Sequence, residues 1–88
     1  MLFTIYSQPN CTFCEQAKDL IKSKGLEYVE LILNVGQKQE QGKQYVPLTH
    51  LKAKVPSARS VPQIFVGDKH VGGFVELQKY LKHDRIVL

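Results

Sequence analysis

The first 33 residues combine a strand, a helix and a second strand, and this order leaves few folds open. Residues 2–6 (LFTIY) and residues 28–33 (YVELIL) are rich in β-branched and aromatic side chains, which favours strands. The segment between them carries apolar side chains at the spacing of one helix face: Phe13, Ala17, Leu20 and Ile21. A strand, a helix and a strand in this order predict a parallel strand pair joined by a right-handed crossover.

The middle of the chain predicts a polar loop followed by a short helix. Residues 37–44 (QKQEQGKQ) have no apolar side chain, which indicates a solvated loop. Pro47 suits the first position of a helix, because the N–H that proline lacks has no helical partner there. We expect Pro56 to end this helix, whose apolar face consists of Leu48, Leu51 and Val55.

The last part of the chain predicts a hairpin and a final helix. Residues 63–66 and 69–71 are two short strands, separated by a Gly67-Asp68 turn. After Gly72-Gly73, apolar residues recur at helical spacing: Phe74, Leu77 and Leu81. We expect residues 84–88 to form a tail. The order β-α-β-α-β-β-α predicts one α/β domain over residues 1–88, with a four-stranded mixed sheet flanked by helices, which is a thioredoxin-like arrangement.

Cysteine content and charge limit the classes of function. Two cysteines three positions apart cannot tie distant loops together, which favours a cytoplasmic enzyme over a disulfide-rich secreted domain. No apolar run approaches the roughly 20 residues of a membrane span. The net charge of +4 indicates a solvated basic surface or attraction to anionic partners. Basic and aromatic residues are not interleaved, so we expect no binding to nucleic acid. We also expect a monomer that does not bind membranes.

Cys11 and Cys14 form a Cys-x-x-Cys pair at the predicted start of the first helix. A free thiol is only ~3% ionised at neutral pH, and the thiolate is the reactive form. Cys11 lies at the positive end of the helix, where unsatisfied N–H groups face its sulfur. Either Asn10 or Thr12 would serve as the N-cap, Thr12 in a capping box with Glu15. This placement predicts that Cys11 is the nucleophile and that Cys14, one turn further in, is the resolving thiol.

The residues alone suggest two other uses of the cysteine pair. A zinc site needs further ligands, but a second cysteine pair is lacking and His50, His70 and His83 do not have ligand spacing, so we expect no metal. Inert core thiols are the other alternative, and the predicted turn at Pro9 and Asn10 argues against it by placing Cys11 at the surface.

Three segments resemble the glutaredoxin family. Residues 6–14 (YSQPNCTFC) resemble its active-site segment, which usually contains Cys-Pro-Tyr-Cys. Residues 58–66 (ARSVPQIFV) resemble the family's A-R-T-V-P-x-x-F-I segment, and residues 70–74 (HVGGF) resemble its H-I-G-G motif. The polar insert before the second helix is similar to that of short phage-encoded members. These segments follow the family's order over almost the whole chain.

The resemblance implies a glutathione-dependent thiol–disulfide oxidoreductase that reduces protein disulfides and mixed glutathione disulfides. It implies a cis peptide bond before Pro62 and pairing of the Val61 backbone with the cysteine of glutathione, as in an added strand. It also implies that the γ-glutamyl carboxylate binds backbone N–H groups of Gly73, Phe74 and Val75 at a helix start. The other side chains that it places at the glutathione site are Gln8, Phe13 and Arg59.

Two departures from the family pattern leave alternatives open. Gln8 stands where the family often has lysine, and Val75 where it usually has a polar or acidic residue. Both favour a redoxin of the same fold that is reduced by a flavoprotein and donates electrons to an enzyme such as ribonucleotide reductase. A further alternative is a dimer that holds an iron–sulfur cluster through Cys11 and glutathione, against which the second cysteine argues.

Overall fold

The computed structural model describes residues 2–84 and contains five strands and three helices. The strands are β1 (Leu2–Ser7), β2 (Glu27–Leu33), β3 (Gln44–Val46), β4 (Gln63–Val66) and β5 (Lys69–Gly72). The helices are α1 (Thr12–Ser23), α2 (Leu48–Lys54) and α3 (Phe74–Asp84). The α/β class and the thioredoxin-like arrangement are confirmed. The predicted tail began at residue 84, but Asp84 is the last residue of α3, and residues 85–88 lie outside the described residues.

The strands form one mixed sheet in the order β3-β2-β1-β4-β5. The first two strands are parallel, as the crossover requires, with Ile5 opposite Glu30. Strand β4 pairs antiparallel with β1 and places Ile64 opposite Ile5. Strands β4 and β5 form the predicted hairpin, with an irregularity between Ile64 and Phe65. The central position of β1 brings its carboxyl end, where Cys11 follows, to the middle of one sheet edge.

The sequence prediction of four strands was one too few. Strand β3 pairs in parallel with residues Leu31 to Leu33 of β2, and the N–H of Asn34 donates to the carbonyl of Val46 at 2.8 Å. Its first residue, Gln44, was assigned to the polar loop. A strand of three residues is too short to show alternation in its own sequence, so only pairing with β2 defines it.

Helix α2 begins one residue later than predicted, because Pro47 is its N-cap and not its first helical residue. Its apolar face also differs from the prediction. Leu51 is buried and Val55 packs against the same core, but Leu48 is 48% exposed. Leu48 is the first residue of this seven-residue helix and lines a surface cleft instead of packing in that core.

The sheet separates two apolar cores. The core beneath α1 and α3 has as its buried members Phe3, Ile5, Ala17, Ile21, Ile64, Leu77 and Leu81. The core beneath α2 consists of Tyr6, Leu33, Leu51, Ala58 and Phe65. Adjacent residues of β1 therefore serve opposite cores, as the alternation of a strand dictates. Phe13 was predicted on the buried face of α1, yet it is 58% exposed and belongs to neither core.

Candidate active site

The N-cap of α1 is Cys11 itself, which corrects the prediction of Asn10 or Thr12. The sulfur of Cys11 accepts a hydrogen bond from the N–H of Cys14 at 3.1 Å, in the manner of a capping oxygen. Thr12 is already the first helical residue, so its hydroxyl lies one position too late to cap, and Glu15 instead pairs with a lysine of the same helix. The sulfur therefore occupies the positive end of α1, where a negative charge is stabilised.

The two cysteines form a disulfide across this first turn, with their Cα atoms 5.2 Å apart. Cys11 is half-buried, whereas Cys14 is fully buried on the inner face of α1. A disulfide or thiol that approaches from solvent can therefore reach the sulfur of Cys11 and not that of Cys14.

The turn before the nucleophile has an unusual backbone at one position. Pro9 and Asn10 form the turn that joins β1 to α1, and Asn10 has φ of +60°. Asparagine enters this left-handed region at lower cost than most residues, because its short polar side chain hydrogen-bonds locally. The turn places Cys11 directly before the first residue of α1, in the N-cap position.

The loop before β4 completes the site on the other side of the disulfide. The Val61-Pro62 peptide bond is cis, as the resemblance implied. The carbonyl oxygen of Val61 lies 3.8 Å from the sulfur of Cys11, while Pro62 is buried. Half-buried Val61 thus presents backbone beside the disulfide, where an extended peptide could pair with it.

Two clefts meet at Val61 and bring the remaining predicted site residues together. The basic cleft, of about 350 Å³, lies towards α2 and is named for Lys52 and Arg59; it is also lined by Gln8, Leu33, Leu48, Leu51, Ala58, Ser60 and Val61. The apolar cleft, of about 200 Å³, lies towards α3 and is lined by Phe13, Ser60, Val61, Pro62, Gly73, Phe74, Val75 and Glu76. Lys52, Ser60 and Glu76 were not among the residues predicted for the site. Lys52 joins the site only through the cleft that it shares with Val61, and no sequence motif marks it.

The start of α3 is already partly occupied by an acidic side chain. The N–H of Gly73 donates to the carboxylate of Glu76 at 2.8 Å, which is one half of a capping box. The resemblance implied that this N–H binds the γ-glutamyl carboxylate of glutathione, but in the structure it already donates to Glu76. A side chain at Gly72 would collide with Glu76, since a Cβ built there lies 2.8 Å from the Cγ of Glu76.

A polar network that the sequence did not predict lies between α1 and strands β1 and β2. Lys18 pairs with Glu15 at 2.8 Å and with Glu30 at 3.0 Å, and the hydroxyl of buried Ser7 donates to Glu30 at 2.6 Å. The available signal was a glutamate at position 30, among the apolar and aromatic residues of the predicted strand 28–33. The network ties α1 to β1 and β2 next to the turn that precedes Cys11.

Opposing influences set the charge state of this network. Burial acts to raise the pKa of Glu30, but the hydrogen bonds from Ser7 and Lys18 and the charges of Lys18 and Lys43 outweigh it, so the pKa lies below its ordinary value. Burial likewise acts to lower the pKa of Lys18, while hydrogen bonds and charge from Glu15 and Glu30 raise it above its ordinary value. Both groups are therefore charged at neutral pH and stabilise each other.

Comparison with known proteins identifies the family to which this arrangement belongs. Residues 3–71 match the sequence model of the glutaredoxin family, which is more than half of the chain. The chain belongs to the glutaredoxin family. Glutaredoxins are thiol–disulfide oxidoreductases, so this is the enzyme class of the protein.

Relatives among characterised proteins support the same assignment. A glutaredoxin of Neisseria meningitidis is 36% identical to this glutaredoxin over 76 residues, which cover 86% of this chain and 80% of the relative. The hybrid peroxiredoxin hyPrx5 of Haemophilus influenzae is 37% identical over 78 residues, or 88% of this chain. The match spans only 28% of that relative's length.

Solved structures share the fold of this glutaredoxin. The reduced glutaredoxin of Escherichia coli aligns with a TM-score of 0.68 and 25% identity, covering 94% of this chain and 95% of the other. A buckwheat glutaredoxin solved as a glutathione complex aligns with a TM-score of 0.63 and 21% identity, covering 97% and 72%. The second likeness is one of fold alone.

Two kinds of feature are absent from the part of the chain that the structure describes. No helix within residues 2–84 is long and apolar enough to cross a membrane. Among the described side chains, no group of three or more from His, Cys, Asp and Glu could hold a metal ion.

Proposed function

We propose that this glutaredoxin reduces protein disulfides and mixed glutathione disulfides with electrons from glutathione. One observation carries the proposal: the sulfur of Cys11 caps α1 and accepts the N–H of Cys14, and Cys11 is half-buried whereas Cys14 is fully buried. N–H donors at a helix start favour a thiolate, which is the nucleophilic form of cysteine. Cys11 is therefore the nucleophile and Cys14 the resolving thiol.

The reduction proceeds by successive exchanges between sulfur atoms. The Cys11 thiolate attacks one sulfur of the substrate disulfide, and the other leaves as a thiolate that takes a proton from water. The Cys14 thiolate then attacks the sulfur of Cys11, expels the second substrate thiolate and forms the disulfide between Cys11 and Cys14. One glutathione thiolate attacks Cys11 and frees Cys14. A second attacks the bound glutathione, which releases glutathione disulfide and restores Cys11.

The clefts on either side of Val61 fit the two ends of glutathione. The backbone of Val61 pairs with the cysteine moiety beside the sulfur of Cys11. The glycyl carboxylate enters the basic cleft, towards Gln8 and Arg59, and the γ-glutamyl carboxylate meets the free N–H groups at the start of α3. Membership of the glutaredoxin family supports this choice of thiol. Since the reaction requires a reducing compartment and one chain carries both cysteines, we place the protein in the cytoplasm as a monomer.

A flavoprotein-reduced redoxin is the second candidate. Two residues favour it: Gln8 supplies no charge at the basic cleft, and Val75 presents an apolar side chain that is 53% exposed at the start of α3. In this role the same cysteine pair would pass electrons to an enzyme such as ribonucleotide reductase.

A coupled assay distinguishes the two electron sources. The same disulfide substrate is reduced in the presence of NADPH with either glutathione and glutathione reductase or thioredoxin reductase alone. We expect turnover with glutathione and little with the flavoprotein alone. Turnover with thioredoxin reductase alone would favour the redoxin role, and failure with both would contradict the assignment of the cysteines. Cys11→Ser is the matched control, because it removes the nucleophile and leaves both clefts in place.

A further inference from the structure

An apolar surface lies beside the disulfide and is left uncovered by the part of the chain that the structure describes. Phe13 from α1 and Phe74 from α3 stack with their ring centroids 6.1 Å apart and their planes at 27°. Phe13 is 58% exposed and the neighbouring Val75 is 53% exposed. We call these three side chains the apolar platform. Single exposed apolar residues are common, but a cluster of them rimmed by polar groups marks a site of interaction.

The platform is one wall of the apolar cleft, so it continues directly from the backbone of Val61 and Pro62. On the other side of Val61, the basic cleft is lined by Lys52 and Arg59. A peptide that pairs with Val61 therefore meets apolar side chains at one end and cations at the other. The two ends of the peptide site differ in the chemistry that they select.

We propose that the protein substrates are extended segments in which an apolar side chain precedes the oxidised cysteine and an acidic side chain follows it. This inference rests on the proposed function and specifies the substrate of the same site. The direction follows from antiparallel pairing with residues 60–62: the segment after the substrate cysteine then runs towards Arg59 and Lys52. The segment before that cysteine runs towards Phe13 and Phe74.

The physical basis differs between the two ends. Burial of a leucine side chain against the platform removes apolar area from water, and partial burial corresponds to a preference of about five- to tenfold over serine. An acidic side chain at the basic cleft forms an exposed ion pair, which corresponds to at most about fivefold at low salt and is screened at high salt. We therefore expect the apolar residue to dominate and the acidic residue to depend on ionic strength.

Competition for a trapped mixed disulfide tests the proposal. The Cys14→Ser variant is equilibrated in a thiol redox buffer with pairs of nine-residue peptides, each with one cysteine, and the two mixed disulfides are quantified by mass spectrometry. One pair differs by Leu or Ser before the cysteine, another by Glu or Gln after it, and a third by Leu or Ser after it. The same competition for a small-molecule thiol corrects for the intrinsic redox properties of each peptide.

Variants of the two clefts separate their contributions. In the Cys14→Ser background, Phe13→Ser should reduce the preference for Leu to below about twofold, and Arg59→Gln should reduce only the preference for Glu. Phe74→Ser is a second platform variant, and circular dichroism confirms that each variant is folded. Val35→Ser is the matched control, since Val35 is 59% exposed and lines neither cleft, so the preference should persist.

Other results would contradict either the substrate preference alone or the proposed function as well. Trapping of all peptides without preference, a preference that survives Phe13→Ser and Phe74→Ser, or a preference for Leu only after the cysteine would overturn the inference and leave the dithiol mechanism standing. Trapping of glutathione but of no peptide would do the same. If neither glutathione nor peptides form a mixed disulfide with Cys11, the proposed function fails together with the inference.

Discussion

The backbone N–H of Cys14 donates to the sulfur of Cys11 at 3.1 Å, so the buried cysteine stabilises charge on the half-buried one. We expect the pKa of the Cys11 thiol in the reduced protein to lie below the free value of ~8.5, because this donor and the positive end of α1 both favour the thiolate. Thiolate absorbance against pH, measured on Cys14→Ser, checks this. Cys11→Ser is the companion variant, and a Cys11 titration at or above the free value would contradict the prediction.

The different exposure of the two cysteines predicts a division of labour. Cys14→Ser should still exchange glutathione on and off Cys11, because that step needs one accessible thiol. It should fail to reduce protein disulfides that require a second thiol for resolution. Cys11→Ser should lose both activities, since Cys14 is fully buried. The two activities are measured with a glutathionylated peptide and with a protein disulfide. Retention of exchange by Cys11→Ser would reverse the assigned roles.

A positive charge introduced at position 8 of the basic cleft should have only a small effect on the use of glutathione. A lysine there adds one exposed ion pair with the glycyl carboxylate, worth ~0.2–1 kcal/mol and weakened by salt. Gln8→Lys should therefore improve the use of glutathione by no more than about fivefold, mainly at low ionic strength. Steady-state kinetics with varied glutathione at two salt concentrations test this. A hundredfold gain would mean that Gln8 disables the site, and an absent effect at both concentrations would place the carboxylate elsewhere.

The positive φ of Asn10 predicts a clear order among substitutions. Asn10→Gly should leave stability within about 1 kcal/mol of the parent, because glycine adopts this conformation freely. Asn10→Val should lower the free energy of unfolding by about 1–3 kcal/mol, since a β-branched residue is strained there. Urea unfolding of the two variants measures the difference. Equal stability of the valine and glycine variants would show that the turn rearranges.

The lowered pKa of Glu30 predicts a pH-dependent contribution to stability. A carboxyl group with a lowered folded pKa stabilises the fold above its unfolded pKa, and this contribution is lost as the pH falls through the folded value. Glu30→Gln should cost about 1 kcal/mol at neutral pH, and the difference from the parent should shrink below about pH 4. Urea unfolding across this pH range tests both statements.

Glu40→Gln is the matched control for the Glu30 substitution. The carboxylate of Glu40 also pairs with a lysine, Lys43 at 3.5 Å, but its side chain is 68% exposed. Exposed pairs of this kind contribute little, so stability should change by less than about 0.5 kcal/mol at every pH. Equal effects of the two substitutions would mean that the Glu30 network does not stabilise the fold.

Two features near the start of α1 could not be predicted from residue type and spacing: the residue that caps the helix, and the exposure of Phe13. Asn10 and Thr12 are both better caps by residue type than cysteine, yet the turn at Asn10 places the sulfur of Cys11 in the capping position. Similarly, Phe13 continues the apolar spacing of α1 but lies at its exposed end, opposite Phe74. Residue type and spacing do not specify where a helix begins relative to the structure that covers it.

Sequence patterns alone predicted the βαβ unit, the hairpin, the final helix and the position of Cys11 and Cys14 at a helix start. These features depend on periodicity and turn residues within a few positions of one another, so local order in the chain is sufficient to specify them. Tertiary packing was needed to show that β3 exists, that Glu76 accepts the N–H of Gly73 and that Lys18 pairs with Glu30. Partners such as Lys18 and Glu30 lie on separate elements, and their energies arise only when packing removes both from water and brings them within hydrogen-bonding distance.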